Sequence, residues 1–173
     1  MKSRRQALVT IILGSQSDLA VMEETIAGLR SFGIPCELVI ASAHRSPERT
    51  RRQVRTAEAR GGKLFIAAAG GAAHLPGVIA AETALPVIGV PIDSSSLKGM
   101  DSLLSIVQMP GGVPVACMAI GKAGAKNAAV FAAQCLALED AALARRLRRF
   151  KHSLAEHVVE QDRAVRAGRK TSP

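Results

Sequence analysis

Short apolar segments alternate with amphipathic segments along most of this chain. Residues 7–13 are largely apolar and rich in β-branched side chains, which predicts a strand covered on both faces in a parallel sheet. After a polar turn, apolar side chains recur every three or four positions, which predicts one face of a helix. These positions are Leu19, Met22, Ile26 and Leu29. Gly33 and Pro35 indicate the end of that helix.

The same strand–helix unit then recurs. Further strands are predicted at 37–41, 64–69, 86–91 and 113–120, and helices at 47–60, up to about 83, at 101–108, at 121–138 and, as one or two helices, at 140–166. Ser46 is the predicted N-cap of the second helix and Pro47 its first residue. Strands alternating with helices predict an α/β three-layer sandwich with a five-stranded parallel sheet in the flavodoxin-like order 2-1-3-4-5.

The length of 173 residues favours one domain, with a body over about 7–139 and an appended helical basic tail over about 140–173. A hydrophobic content of 48% with 21% charged residues is typical of a globular protein. No apolar run approaches the roughly 20 residues of a membrane span. The basic, then apolar start has no cleavage site, so we interpret it as a buried first strand rather than a signal peptide. Three widely spaced cysteines favour free thiols and a cytoplasmic location.

The net charge of +9 is concentrated at the end of the chain. Residues 141–173 hold nine Lys or Arg against three acids, so this segment contributes 9 − 3 = +6. A basic tail can bind nucleic acid. However, the chain has no Trp, no Tyr and four Phe, whereas single-strand binders stack bases on aromatic rings. We therefore expect a solvated helix and no nucleic-acid partner.

Ligands of open parallel sheets bind beyond the carboxyl ends of the strands, and three loops are predicted there. The first loop is 14–18, in which the Ser15 and Ser17 hydroxyls and the backbone N–H groups of a helix start suit a phosphate. Asp18 suits sugar hydroxyls, so the loop is typical of a ribose-phosphate site. An ordinary helix start capped by Ser17 or Asp18 is equally compatible. The loop is neither a P-loop nor a GxGxxG motif, so ATP and NAD are not indicated.

The second loop, 42–47, contains a candidate proton carrier. This residue is His44, and the histidine side chain in general can give and take a proton near neutral pH. Arg45 beside it can hold a phosphate or carboxylate with two parallel hydrogen bonds. The alternative is a surface histidine beside a solvated arginine. The position after a strand favours function.

The third loop, 69–77, is built from glycine and alanine. Its backbone N–H groups are barely obstructed, and such a surface can hold CO2 or a carboxylate, although a plain glycine turn is as compatible. His74 either points into the site or caps a helix, whereas His152 and His157 are expected to be solvated. Neither His44 nor His74 has a Cys or acid at ligand spacing, so no metal site is predicted. A hydrolase is disfavoured because no G-x-S-x-G motif occurs.

Six motifs in register carry a family resemblance. They are GSQSD (14–18), SAHRSP (42–47), AGGAAHLPG (69–77), LPVIGVP (85–91), DSLLSIVQMPGGVPV (101–115) and AIGKAGAKNAA (119–129). With them the chain resembles the catalytic subunit of phosphoribosylaminoimidazole carboxylase along nearly the whole body. The tail adds little to this resemblance.

The resemblance implies a cytoplasmic isomerase of purine biosynthesis that needs no metal or organic cofactor. It implies conversion of N5-carboxyaminoimidazole ribonucleotide to the 4-carboxy isomer, with CO2 as a bound intermediate and His44 as general acid and base. The nucleotide-binding positions are Ser15, Asp18 and Arg45 with Ser17 nearby, and the carboxylate loop is Gly70, Gly71, Ala72, His74 and Leu75. Ser42 and Ala43 complete the predicted binding residues. Family members usually form homo-octamers with sites at subunit boundaries.

Two alternatives remain beside the mutase. The animal-type branch of the family carboxylates aminoimidazole ribonucleotide directly with CO2, but the QMPGGVPV run and the absence of a fused synthetase domain favour the bacterial type. A non-catalytic nucleotide-phosphate sensor with a nucleic-acid-binding tail would give His44 no role. Two departures from the family pattern are Leu19, where Trp is usual, and Ala116-Cys117, where Gly-Thr is common.

Overall fold

The computed structural model describes residues 6–169. Its sheet consists of β1 (Val9–Leu13), β2 (Cys36–Ile40), β3 (Leu64–Gly70), β4 (Val87–Ile92) and β5 (Ala116–Cys117). All neighbouring strands pair in parallel, in the order β2-β1-β3-β4-β5. The helices are α1 (Leu19–Ser31), α2 (Pro47–Ala59), α3 (Leu75–Glu82), α4 (Met100–Val107), α5 (Gly121–Ala137) and α6 (Ala141–Arg169), with a short 3-10 helix at Gln16–Asp18. The predicted fold class and strand order are confirmed.

Both faces of the sheet are covered, which explains the continuous apolar strands. On one face, Ile12 of the inner strand β1 packs in a buried cluster with Val54, Ile79 and Ile106 from three helices. Alternate residues of a strand point to opposite faces. Val9, Ile11 and Leu13, which point to the opposite face from Ile12, are fully buried as well. Alternation of polar and apolar residues is therefore absent from this strand, as expected for a parallel sheet.

Helices α1 and α5 pack closely against each other. The Thr25 hydroxyl donates a hydrogen bond of 2.7 Å to the Ala125 carbonyl oxygen. A Cβ at Gly28 would lie 2.7 Å from the Cβ of Ala129, so this crossing requires a residue without a side chain.

The predicted fifth strand is much shorter in the structure. Only Ala116 and Cys117 pair with β4, whereas the sequence predicts a strand over 113–120. Pro114 has no backbone N–H for a sheet ladder, and Gly111 and Gly112 precede it, so the chain joins the sheet late.

The side chains predicted to cap two helices do not form capping hydrogen bonds. Ser46 occupies the N-cap position of α2, but its side chain makes no capping bond and instead bonds to the backbone of Ser42. Asp18 occupies the N-cap position of α1, but its side chain makes no capping bond, and Ser17 lies outside the cap position. The Ser15 hydroxyl accepts the Ser17 N–H at 3.3 Å.

The chain divides into two compact units, residues 1–133 and 134–173. The first contains the whole sheet. The second contains the end of α5 and all of α6, in which every residue from 151 to 168 is exposed. His152 and His157 are exposed there as predicted, and each contacts a side chain four residues further along its own helix. None of the helices within residues 6–169 is long and apolar enough to span a membrane.

Candidate active site

The three predicted loops meet at the carboxyl edge of the sheet, where they surround a cleft of about 320 Å³. The cleft is lined by Gly14, Ser15, Ser17, Asp18, Ser42, Ala43, His44, Arg45, Ala69, Gly70, Ala72, His74, Leu75 and Ser94. Of the residues predicted from sequence, Gly71 is the one outside this lining. Because β2 and β3 flank β1 on either side, the loops that follow these strands become neighbours in space.

The first loop presents a buried carboxyl group and two hydroxyl groups. Asp18 is 5% exposed, and its carboxylate accepts a hydrogen bond of 3.1 Å from the Ser17 hydroxyl. Burial raises the pKa of Asp18 above its usual range, while the Ser17 and Ser15 hydrogen bonds and the charge of Arg45 act in the opposite direction. The loop therefore offers an acceptor for hydroxyl groups beside donors for an anion.

The second loop is tied to the first by Arg45. The Arg45 guanidinium donates from Nη2 to the Gly14 carbonyl oxygen at 2.9 Å, and the Arg45 backbone N–H donates to the Ser42 hydroxyl at 3.2 Å. Ser46 holds the base of this loop, where its hydroxyl accepts the Ser42 N–H at 3.0 Å. Arg45 remains exposed, so its other N–H groups can bind an anion in the cleft.

The two histidines of the cleft contact each other directly. His44 Nε2 lies 2.8 Å from His74 Nδ1, with the rings at 88° to each other and their centroids 4.9 Å apart. His74 occupies the N-cap position of α3, but its side chain makes no capping bond. Its side chain instead contacts His44, and His74 lines the cleft.

The third loop continues β3 and turns through glycine. Gly70 is paired with Ile92 of β4, and Gly71 has a φ of 61°, which favours glycine. Ala72 is exposed, while Ala73 and Leu75 anchor the loop in the core at 1% and 3% exposure. The result is a partly exposed stretch of backbone at residues 70–72, of which Gly70 and Ala72 line the cleft.

Ser94 was missed by sequence reasoning. It lies on the loop after β4 and lines the same cleft. A signal was present, because Asp93-Ser94-Ser95-Ser96 is a polar run at the carboxyl end of a predicted strand. The other three loops carry stronger signals, because they contain glycine or histidine.

The titratable side chains do not gather as metal ligands. Within residues 6–169, no group of three or more His, Cys, Asp or Glu side chains could hold a metal ion. The cleft offers hydrogen bonds from its serines, charged groups in Arg45 and Asp18, and histidines that can exchange protons.

Comparison with known proteins assigns the family. Residues 8–157 match the AIR carboxylase family. An N5-carboxyaminoimidazole ribonucleotide mutase from Pyrococcus horikoshii is 53% identical over 161 residues, which cover 93% of this chain and 89% of that protein. The protein of the same name from Bacillus subtilis is 54% identical over 155 residues, 90% of this chain and 96% of that one.

A solved structure agrees. The crystal structure of Treponema denticola PurE superimposes with a TM-score of 0.84 at 31% sequence identity, covering 91% of this chain and 98% of that one. Family match, sequence identity and fold therefore concur over most of the chain, and the chain belongs to the AIR carboxylase family.

Proposed function

We propose that this chain is an N5-carboxyaminoimidazole ribonucleotide mutase of purine biosynthesis. The observation that carries the proposal is the cleft itself, which combines a histidine, an arginine, a hydroxyl-rich helix start and a bare glycine backbone. Relatives that are about half identical over nearly the whole chain bear this enzyme's name, which supports the same assignment.

The ribose phosphate binds at the first loop. The Ser15 hydroxyl and the Arg45 guanidinium supply donors to the phosphate oxygens, and Ser17, whose hydroxyl donates to Asp18, lies beside them. The buried Asp18 carboxylate accepts from a ribose hydroxyl. With the ribose phosphate held by these groups, the imidazole lies in the part of the cleft lined by His44, Gly70 and Ala72.

The reaction begins when the bond between N5 and the carboxylate carbon breaks. The electron pair of this bond stays on N5, which takes a proton from protonated His44, and CO2 is released beside Gly70 and Ala72. The C4 carbon of the aminoimidazole then attacks CO2, which forms the new carbon–carbon bond and a carboxylate. His44 removes the proton from C4, so the cycle closes with no net gain or loss of protons.

His74 assists by orienting His44. With 2.8 Å between their nitrogens, one ring donates and the other accepts. This contact fixes the orientation of the His44 ring in the free enzyme. Ser42 and Ala43 form the adjoining wall, and Leu75 forms the apolar floor that shields CO2 from water.

The direct carboxylase is the competing assignment, since it would use the same cleft. It differs in whether CO2 enters from solution or with the substrate. The purified protein is assayed with N5-carboxyaminoimidazole ribonucleotide and, separately, with aminoimidazole ribonucleotide and bicarbonate. Rapid conversion of the first, with the second requiring high bicarbonate, supports the mutase. The opposite preference supports the carboxylase, and turnover of neither supports a nucleotide-phosphate sensor.

The assembly we propose is a cytoplasmic homo-octamer. Support comes from apolar side chains that are exposed on the single chain beside the cleft-lining loop. They are Leu97, Met100, Leu104 and Val107, each 50% exposed or more. Met100, Leu104 and Val107 lie on one face of α4, and Leu97 lies in the turn before this helix. A neighbouring subunit would cover this surface. Light scattering of the purified protein measures the mass, and a monomer would refute this assembly.

A further inference from the structure

We propose that Ser94 is a substrate-contacting residue whose hydroxyl holds the transferred carboxylate, and the CO2 derived from it, against the backbone of Gly70. The inference rests on the proposed mutase function. It adds a side-chain donor from a fourth loop to a carboxylate site that would otherwise consist mainly of backbone groups.

The sheet register brings Ser94 to this position. Gly70 pairs with Ile92, and Ser94 follows two residues later, where β4 has ended. A Cβ built on Gly70 would lie 1.8 Å from the Ser94 Oγ and 2.9 Å from its Cβ. The Ser94 side chain thus occupies the space that any larger residue at position 70 would fill, and its hydroxyl lies directly against the carboxylate loop.

The loop that carries Ser94 is firmly anchored. The Ser95 hydroxyl donates to the Asp101 carboxylate at 2.7 Å, and the buried Ser102 hydroxyl donates to the Ile92 carbonyl oxygen at 2.9 Å. The loop closes through Lys98 and Gly99, whose φ angles are 51° and 84°. A left-handed lysine is a strained conformation, and such strain persists where the surrounding contacts enforce it.

The Ser94 hydroxyl itself is available to a ligand. Ser94 is exposed to the cleft, and its Oγ makes no hydrogen bond with any residue of the described chain, 6–169. The hydroxyls of Ser95 on the same loop and of Ser102 in α4 are both engaged. An anchored loop with one unengaged hydroxyl toward the cleft is typical of a preorganised donor.

During the reaction Ser94 donates the same hydrogen bond throughout. It donates to a carboxylate oxygen of the substrate, then to an oxygen of CO2, and then to the product carboxylate. Ser94 neither gains nor loses a proton, so the proton balance through His44 is unchanged. Its contribution is to keep CO2 beside C4 until the new bond forms, which is a proximity effect.

The test compares Ser94→Ala with wild type, using Ser96→Ala as the matched control. Ser96 is exposed on the same loop but does not line the cleft. Three quantities are measured with N5-carboxyaminoimidazole ribonucleotide: kcat, KM and leakage. Leakage is the aminoimidazole ribonucleotide released per product formed, corrected for nonenzymatic decarboxylation. Melting temperatures confirm that both variants are folded.

We expect Ser94→Ala to lower kcat for product formation by about three- to tenfold, the effect of one neutral hydrogen bond to CO2, and to raise leakage. KM rises as well, because the hydrogen bond to the substrate carboxylate is also lost. Ser96→Ala behaves as wild type. If Ser94→Ala has the wild-type kcat, or a lower kcat without leakage, the proposed role of Ser94 is overturned and the mutase function stands. An inactive wild type refutes the mutase function, and the role of Ser94 with it.

Discussion

His44 Nε2 and His74 Nδ1 lie 2.8 Å apart across the mouth of the cleft, although thirty residues separate them in the chain. When both rings are neutral, a hydrogen bond between these two nitrogens requires that one of them carries a proton and the other does not. The tautomer of one histidine therefore sets the tautomer of the other. The proposed proton carrier is therefore held by a partner that can share its proton.

His74→Ala tests this partnership. Loss of one neutral hydrogen bond that orients His44 should lower kcat by about three- to tenfold, with little change in KM. His157→Ala is the matched control, because His157 is exposed and contacts only Gln161 of the same helix among its described contacts. Steady-state kinetics measure both variants. Equal kcat for His74→Ala and wild type would contradict the orienting role.

Asp18→Asn should separate stability from binding. Burial raises the pKa of Asp18, so between the usual value of about 3.9 and the raised value the folded protein binds more protons than the unfolded chain. This carboxyl therefore lowers the stability of the fold as the pH rises through that window. At pH 7 the charged form is destabilising, and the neutral amide should raise the melting temperature.

The same change removes the charged acceptor for the ribose hydroxyl, so KM should rise about tenfold or more. Below about pH 3.9 both side chains are neutral, and the difference in melting temperature should shrink. Thermal unfolding across pH and steady-state kinetics provide the two readouts. A lower melting temperature of Asp18→Asn at pH 7 would mean that hydrogen bonds to the carboxylate outweigh its burial.

Gly70→Ala should displace the loop that follows β4. The added Cβ would meet the Ser94 side chain well inside contact distance, so Ser94 must move. A misplacement of about 1 Å in a site can cost up to about 100-fold, and we expect kcat to fall 10- to 100-fold. Gly111→Ala is the control, because a Cβ there meets nothing within 4 Å. Equal activity of the two variants would show that the contact with Ser94 is unimportant.

The fold was largely predictable because the three inner strands, β1, β3 and β4, are buried on both faces. Continuous apolar runs such as Val9–Leu13, each followed by a helical period, specify a parallel sheet and limit its strand order. The fifth strand was overestimated, since Val113 and Val115 have the composition of a strand but only Ala116 and Cys117 find partners in β4. Pairing depends on the neighbouring strand, which the local sequence does not describe.

The site was predictable where one loop carried its own chemical signal. His44 with Arg45 and the Gly70-Gly71 turn have such signals, whereas Ser94 stands in an ordinary serine run. The contact between His44 and His74 could not be derived locally, because it depends on β2 and β3 both lying beside β1. Which hydroxyl caps a helix, Ser15 rather than Ser17, likewise depends on the backbone angles of the turn.

The most direct test of the account is a comparison of His44→Asn with wild type. The two proteins are measured for turnover of N5-carboxyaminoimidazole ribonucleotide and, by calorimetry, for binding of the product nucleotide. Loss of the proton carrier should reduce kcat by about 100- to 10,000-fold. Binding should stay within a few-fold, since the phosphate and ribose contacts lie on other residues. A His44→Asn variant that retains wild-type turnover would contradict the central claim that His44 carries the proton.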